Sequence, residues 1–473
     1  MPVASLGRRR AILFLLCLAQ LMCILDISIV NIAIPSIQKE LGLAPTALQW
    51  VMTAYVLTYG GFLLVGGRLG DLYGRRRILY LGLAGFTIAS AVGGVSTGAV
   101  SLWAARAGQG LGAAVISPTV LSFITSLFPE GRERNHAVST LAAVTGLGFA
   151  LGLVLGGILT TAVGWRWVFF INVPIGVAVI AAAMIMLPET ERVRQPVDIP
   201  GAVLATAGLT VTAYTLSSLE AGSIFSLRTA ILAALAIMLF VVLVLVERNS
   251  PHPLVPPGLL RHRSLLHAVI GAGVFGSVIG PTGFMLTIYL QDVSRFSPLT
   301  TGLSYLPQEA AVLAASYLAG RWVGRRLTSR AVIALGVVAF GSGAWWLAQR
   351  LPAGGYWETV LPGLLLMGAA IGLVVVGGSI AATQGLPNLQ HGAAAGIFNT
   401  SQQIGTAFGL ALLTAIATNE TSRLLGAVPG LAPDAAMVGG FSTAFAAAVI
   451  IALAGLAALF SVGRQASDPR TEP

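Results

Sequence analysis

The chain has 473 residues, of which 56% are hydrophobic and only 9% are charged, and its mean hydropathy is +0.86. A soluble protein of this length needs far more charge on its surface, so the composition excludes a soluble globular protein and predicts many membrane-spanning helices. The formal net charge of +10 could indicate binding to nucleic acid or to an anionic membrane surface. The arginines, however, lie in short loops between apolar runs, where basic residues determine the orientation of membrane-spanning helices.

Fourteen apolar runs are long enough to cross a bilayer, which takes about 20 residues per helix. The first six lie near 11–36, 47–68, 77–97, 100–126, 136–160 and 165–187. Two more follow near 198–218 and 229–247. The last six lie near 266–290, 301–320, 331–349, 359–383, 391–417 and 438–461.

The arginines predict the orientation of these spans, because basic residues favour cytoplasmic loops. With the N-terminus inside and the sides alternating, most arginines fall on the cytoplasmic face. Both termini are then predicted to be cytoplasmic. A twelve-span arrangement that merges or drops the pair at 198–247 has the same termini, so the pattern supports an even number of spans.

An internal repeat predicts two related halves. The segment GDLYGRR at 70–76 follows the second span, and GRWVGRR at 320–326 follows the second span of the last six. Many secondary transporters are built from such repeats. The predicted division is an N-terminal six-helix bundle at 1–190, a linker with two additional transmembrane helices at 191–262, and a C-terminal six-helix bundle with a short cytoplasmic tail at 263–473.

The loop after the second span has a specific spacing of glycine, aspartate and arginine. Glycines allow helix ends to approach closely, and an aspartate here can accept hydrogen bonds from helix amides or from arginines. We expect the loop to stabilise one conformation during a conformational switch, and the alternative is an ordinary basic inside loop. The residues concerned are Gly67, Asp71, Gly74, Arg75 and Arg76.

These residues resemble the loop signature of the major facilitator superfamily. LDISIVNIAIP at 25–35 resembles the first-helix signature of its fourteen-span drug:proton antiporter family, and WRWVFFINVP at 165–174 resembles another. Asp198-x-x-Gly201, Tyr289-Leu290-Gln291 and Ser297-Pro298 also fit. The resemblance covers about residues 12 to 460. It implies an all-α membrane protein with the major facilitator fold, in which two pseudo-symmetric six-helix bundles are joined by two inserted helices, and it implies multidrug efflux.

Arg106 and Asp26 are ionisable residues inside predicted spans. Arg106 lies in RAGQGLG at 106–112, which also matches the superfamily's fourth-helix motif. An unpaired arginine near the bilayer centre costs about 2.5–3.5 kcal/mol, so we expect a partner. At about 1.5 Å per residue, Arg106 lies about 9 Å and Asp26 about 15 Å from the outer face, which long side chains can bridge. We expect an Asp26–Arg106 pair or a shared polar pocket, with a static structural ion pair as the alternative role.

Asp26 is the first candidate for the proton-coupling residue, with Arg106 as its partner. A dry site favours the neutral carboxyl, whereas water and a guanidinium favour the carboxylate. Alternating access would switch between these environments, and protonation would compete with the binding of a cationic substrate. Glu309, beside Gln308, is a candidate for a second proton site or a cation contact in the cavity. The alternative places Glu309 at a wet rim or at a kink after Pro307.

Glycines and aromatic residues complete the candidate set. Gly148, Gly152, Gly156 and Gly157 in the fifth span predict close helix packing. They resemble the superfamily's antiporter motif, although Leu153 stands where that motif has proline. For any of the aromatic residues, the alternative is a lipid-facing or interhelical position. The predicted substrate cavity contains Gln109, Gln308, Tyr55, Tyr305 and Phe398.

The sequence does not contain the motifs that are typical of other classes of membrane protein. Lys39, the only lysine, precedes Glu40, so there is no G-x-x-x-x-G-K-[ST] loop for ATP. The histidines are scattered, and both cysteines lie in the first span, which predicts neither a metal site nor a catalytic site. No segment resembles a channel filter. Secondary transport is the class of function that remains after these exclusions.

The sequence therefore predicts a proton-coupled secondary active transporter that exports small hydrophobic or cationic compounds and needs no cofactor beyond the proton gradient. A dedicated exporter of one endogenous metabolite or self-made antibiotic, and a proton-coupled uptake symporter, remain as alternatives. We expect the partners to be the small-molecule substrate, protons and the lipid bilayer, with no nucleic acid and no ATP. We also expect a monomer in the bacterial plasma membrane and no enzymatic activity.

Overall fold

A computed structural model describes residues 6–128, 132–188, 199–217, 227–250, 258–259, 262–323, 327–386 and 391–462. A few side chains inside these ranges, including those of Arg68 and Asp71, also lie outside the description. The described residues are overwhelmingly helical. This agrees with the requirement that a backbone in lipid satisfies its own hydrogen bonds.

Eight helices form the first part of the chain. They are α1 (Leu6–Leu41), α2 (Pro45–Leu48), α3 (Trp50–Tyr73), α4 (Arg75–Gly94), α5 (Ala99–Leu127), α6 (Arg132–Ala162), α7 (Trp167–Phe170) and α8 (Asn172–Met186). Gly74 separates α3 from α4 with a φ of +94°, a conformation that glycine adopts readily because it has no Cβ. The predicted pair of additional spans follows as α9 (Ile199–Ser217) and α10 (Leu227–Asn249).

Seven helices form the remainder. They are α11 (Arg263–Ile288), α12 (Pro298–Ser304), α13 (Leu306–Trp322), α14 (Ser329–Arg350), α15 (Leu361–Thr383), α16 (His391–Ala427) and α17 (Pro433–Ser461). A wider π-helical turn, Tyr289–Val293, extends α11. The span predicted at 301–320 is interrupted at Tyr305, between α12 and α13. Pro307 is tolerated at this position because amide hydrogens in the first turn of a helix make no hydrogen bond within the helix, so the hydrogen that proline lacks is not needed.

Each of the fourteen predicted spans coincides with one of these helices, except that the sixth corresponds to α7 and α8 together and the tenth to α12 and α13 together. Ten of the described helical segments are long and apolar enough to cross a membrane by length and composition. In α9 the apolar part is shorter, Val203–Leu216. The predicted all-α membrane fold is therefore confirmed.

The chain divides into two compact units. Unit 1 contains Met1–Leu254 and Gly283–Leu306, and unit 2 contains Val255–Thr282 and Pro307–Pro473. Within unit 1, α5 packs against α3 and α4, α1 packs along α6, and α9 packs on α3 and α10. Within unit 2, α14 packs against α15 and α17, and α16 packs along α17. The three-part division at residues 190 and 262 stays a prediction.

Candidate functional site

A buried ion pair joins two helices of unit 1. The carboxylate of Asp26 on α1 and the guanidinium of Arg106 on α5 form a salt bridge, and both side chains are 0% exposed. The Nε of Arg106 donates a hydrogen bond to the carbonyl oxygen of Val51 on α3, at 2.8 Å. The guanidinium also lies 4.5 Å from the centre of the Tyr55 ring. Arg106 is thus bound to α1 and α3 as well as being part of α5.

Two amide side chains complete the surroundings of the Asp26 carboxylate. The Nε2 of Gln109 donates to Asp26 Oδ1 at 2.7 Å, and the Nδ2 of Asn172 on α8 donates to the same oxygen at 2.8 Å. Gln109 also donates to Ser90 Oγ on α4 at 2.8 Å, while its Oε1 accepts from Arg106 Nη1 at 2.7 Å. Charge-assisted hydrogen bonds of this kind allow a carboxylate to remain ionised away from water. We call Asp26, Arg106, Gln109 and Asn172 the Asp26 cluster.

The Asp26 cluster retains unused hydrogen-bonding capacity. Among the described residues, Arg106 Nη2 and Asn172 Oδ1 have no hydrogen-bond partner, although both side chains are fully buried. Buried polar groups are nearly always bonded, so each exception needs an explanation. A free donor and a free acceptor beside a carboxylate can bind a further polar group, and they can take over hydrogen bonds when the carboxylate gains a proton.

A second polar network in unit 1 connects α1 with the segment at 283–306. Asn31 Nδ2 donates to Thr287 Oγ1 at 3.3 Å, and that hydroxyl lies 3.0 Å from Tyr305 Oη. Gln291 Nε2 donates to the carbonyl oxygen of Ile32 at 2.8 Å. Sequence reasoning missed Asn31 and Thr287 as site residues. The detectable signal was Asn31 itself, a polar residue inside the first-helix signature and five positions after Asp26.

Four glycines of α6 lie where α1 or α12 approaches closely. A Cβ on Gly156 would lie 2.7 Å from the carbonyl oxygen of Ile29 on α1, and a Cβ on Gly157 would lie 2.6 Å from Leu299 Cα on α12. Gly152 faces Ser28, and Gly148 faces Leu21, both on α1. Real Cβ atoms do not approach this closely, so the glycines allow α6 to contact both neighbours.

The loop between α3 and α4 contacts other helices through its arginines. Arg75 Nη1 donates to the carbonyl oxygen of Ser122 on α5 at 3.2 Å, and Arg76 Nη2 donates to that of Met184 on α8 at 2.7 Å. Gly67 faces Pro118 on α5. The Asp71 side chain lies outside the described residues, as do 324–326 of the repeated loop. A conformational role for Asp71 stays a prediction.

The predicted cavity residues occupy three different places. Tyr55 and Gln109 belong to the surroundings of Asp26, and Tyr305 belongs to the network with Thr287. The other two, Gln308 and Phe398, lie in unit 2, as does the predicted proton site or cation contact Glu309. Gln308 is 6% and Glu309 9% exposed in the first turn of α13, and Phe398 is packed against Gly378 of α15. The structure therefore brings together the predicted ion pair with two of the five cavity residues, and their roles stay predictions.

Known proteins resemble the chain along most of its length. The sequence model of the Major Facilitator Superfamily matches residues 16–410. The puromycin resistance protein pur8 of Streptomyces alboniger is 36% identical over 92% of this chain and 87% of its own. The cephamycin export protein CmcT of Amycolatopsis lactamdurans is 37% identical over 87% of this chain and 85% of its own. A solved structure of a bacterial homologue of the human lysosomal transporter Spinster has the same fold, with a TM-score of 0.68 at 14% identity, covering 99% of this chain and 100% of that one.

Proposed function

The chain belongs to the Major Facilitator Superfamily, and we propose that it is a proton-coupled secondary active transporter that exports small hydrophobic or cationic compounds, antibiotics among them. The names of the two relatives, one for puromycin resistance and one for cephamycin export, support export of antibiotic-like molecules. The observation that carries proton coupling is the Asp26 cluster, a buried carboxylate in the first helix bound by one arginine and two amides.

Coupling follows from the two protonation states of Asp26. The ionised carboxylate binds Arg106, Gln109 and Asn172, whereas the neutral acid no longer attracts the guanidinium. Arg106 then retains the Val51 carbonyl and Gln109 Oε1 as acceptors. The contact between α1 and α5 therefore weakens when Asp26 gains a proton. A ligand or proton shifts a conformational equilibrium only through such a difference in interaction between two states.

The second network offers a route from Asp26 to the segment at 283–306. Asn31 follows Asp26 by five residues on α1, about 7.5 Å along the helix axis. Because Asn31 and Ile32 bond Thr287 and Gln291, a shift of α1 changes the contacts of that segment. Alternating access would use this connection to expose the substrate site to one side of the membrane at a time.

The energy of one proton suffices for useful export. A charge moving through 100 mV releases about 2.3 kcal/mol. Since about 1.4 kcal/mol corresponds to a tenfold concentration ratio, one proton exchanged for one neutral substrate supports a gradient of roughly 40-fold. Exchange of one proton for one monovalent cation moves no net charge, so the pH difference alone drives it. We further propose that the protein works in the bacterial plasma membrane as a monomer, with both termini cytoplasmic. In this proposal it acts without ATP, nucleic acid, metal or cofactor, and without enzymatic activity.

A second candidate function is export of one self-made compound. The cephamycin exporter among the relatives favours it, because its name specifies a single antibiotic. A susceptibility panel in an efflux-deficient host separates the two functions. Resistance to several unrelated compounds supports broad efflux, and protection against one compound supports a dedicated exporter.

Everted membrane vesicles with an established pH gradient test the proposed coupling. Added substrate should dissipate the gradient with the wild-type protein, because export and proton entry are opposed. With Asp26→Asn the accumulation ratio should fall to about one, since a carrier whose two states bind protons equally gains nothing from the gradient. The control is Glu358→Gln, an exposed acid at the end of a span, which should behave as wild type. Full gradient-driven export by Asp26→Asn at normal abundance contradicts the role of Asp26.

A further inference from the structure

Three basic side chains gather at the end of unit 2 that is predicted to face the cytoplasm. Arg263 and His267 lie one turn apart on α11, and Arg330 lies in the first turn of α14. The charges of Arg330 and Arg263 both act on the His267 imidazole. The Arg330 guanidinium lies 4.9 Å from the ring centre of Phe460, so α17 borders the same cluster.

Two helix N-termini are held side by side at this cluster. Ser264 Oγ on α11 donates to the carbonyl oxygen of Ala381 at 2.6 Å, and Ser329 Oγ on α14 donates to Gln384 Oε1 at 2.9 Å. Both acceptors lie within the last turn of α15 and the residue after it, so the starts of α11 and α14 are neighbours. The N-terminus of a helix carries a partial positive charge and unpaired amide hydrogens, and both attract anions.

The cluster contains buried nitrogen atoms that have no hydrogen-bond partner among the residues that the structure describes. His267 is only 8% exposed, and its Nε2 has no hydrogen-bond partner among the described residues, nor has the buried Nε of Arg330. The salt bridges between described residues include none of Arg263, His267 and Arg330. Helical side chains lean toward the N-terminus of their helix. His267 and Arg330 therefore extend toward the membrane surface, where Arg263 is exposed.

We propose that Arg263, His267 and Arg330 bind a phosphate anion, either the headgroup phosphate of an acidic phospholipid or a free phosphate. Basic pockets between transmembrane helices on the cytoplasmic side suit anionic headgroups. The guanidinium groups offer paired donors to phosphate oxygens, and His267 Nε2 offers a further donor deeper in the pocket. The gradation from exposed Arg263 to buried His267 lets a headgroup enter from the membrane surface while its acyl chains stay in lipid. This site is separate from the Asp26 cluster and does not depend on the direction of transport.

Thermal unfolding of the purified full-length chain in a neutral detergent tests the site. Phosphatidylglycerol, phosphatidylcholine and inorganic phosphate are added separately at equal ionic strength. Phosphatidylglycerol or inorganic phosphate should raise the unfolding midpoint of the wild type, because a ligand that binds only the folded state stabilises it. Stabilisation by phosphatidylglycerol alone assigns the headgroup as the source, and stabilisation by inorganic phosphate as well assigns the free anion. Phosphatidylcholine, with no net charge, should have little effect.

Arginine variants decide whether these residues form the site. In Arg330→Gln the ligand concentration for a half-maximal shift should rise roughly tenfold or more, as expected for a lost charge-assisted contact. Arg263→Gln should act in the same direction, and because it alters an exposed side chain we expect it to leave folding intact. The matched control is Arg321→Gln, an exposed arginine of unit 2 that contacts Tyr317. The proposal is overturned if neither phosphate source shifts the wild type, or if all three variants respond alike.

Discussion

Each unit contains a buried acid inside a predicted span, and the two acids have different surroundings. Asp26 in unit 1 is 0% exposed and accepts hydrogen bonds from an arginine and two amides. Glu309 in unit 2 is 9% exposed, and no ion pair of the described residues includes it. A buried carboxylate with arranged donors can alternate between two bonded states, whereas an unpaired one is suited to a substrate cation. From this difference we predict that proton coupling depends on Asp26 in unit 1 and that Glu309 in unit 2 contacts a substrate cation.

Removing Arg106 should have the largest effect on stability, because it leaves Asp26 as a buried acid without an ionic partner. Arg106→Gln is expected to lower the free energy of unfolding by about 3–5 kcal/mol, the usual cost of breaking a buried pair. The measurement is unfolding of the purified protein in detergent. The control is Arg228→Gln, an exposed arginine that contacts Tyr214.

The double variant Asp26→Asn, Arg106→Gln should recover part of that loss, since no uncompensated charge remains. Equal stability of Arg106→Gln and wild type would show that the pair contributes little. It would also remove the contrast between the two acids.

Removing one amide donor should have the next largest effect. Asn172→Ala takes away the hydrogen bond from α8 to Asp26 Oδ1 while the arginine stays. Hydrogen bonds to charged groups contribute about 1.5–3 kcal/mol, so unfolding should become easier by about that amount. The pH profile of substrate-induced proton movement should shift as well, because the ionised carboxylate has lost a donor. An unchanged profile together with an unchanged stability would contradict the place of Asn172 in the Asp26 cluster.

The packing of α6 should be sensitive at one glycine and tolerant at another. Gly157→Ala places a Cβ against the backbone of Leu299, and overpacking of this kind costs about 1–3 kcal/mol. Gly146→Ala on the same helix meets nothing within 4 Å, so it should leave stability unchanged or raise it slightly. Thermal unfolding and export measured on both variants give the comparison. Similar stability of the two variants would show that the close approach of α6 to Leu299 does not make Gly157 a required residue.

Glu309 should give the smallest effect. Glu309→Gln keeps the size of the side chain and breaks no ion pair of the described residues, so its change in unfolding free energy should stay below about 1 kcal/mol. Export of a cationic compound should fall while export of a neutral one is retained. Loss of proton coupling with both compounds would show that Glu309 is a coupling residue in addition to Asp26. It would contradict the different roles predicted for the two acids.

The sequence was informative about the pair and uninformative about most of its surroundings. Arg106 stood out because an arginine inside an apolar run needs a partner, and helical rise placed Asp26 within its reach. Asn172 lies in a motif that sequence analysis had singled out, yet nothing in the motif indicated that its amide faces α1. Thr287, which bonds Asn31, is an ordinary residue of an apolar helix, and only the packing of α1 against the segment at 283–306 distinguishes it.

The order of helices and the existence of a buried charge pair followed from the sequence by itself, because transfer of a segment into lipid depends on a local sum over its side chains. Which polar atoms meet was decided by the tertiary structure. Hydrogen bonds require each helix to have one rotation about its axis and one depth relative to its neighbours, and those depend on contacts such as Gly156 against Ile29. Such contacts join residues far apart in the chain, so no local pattern of residues encodes them.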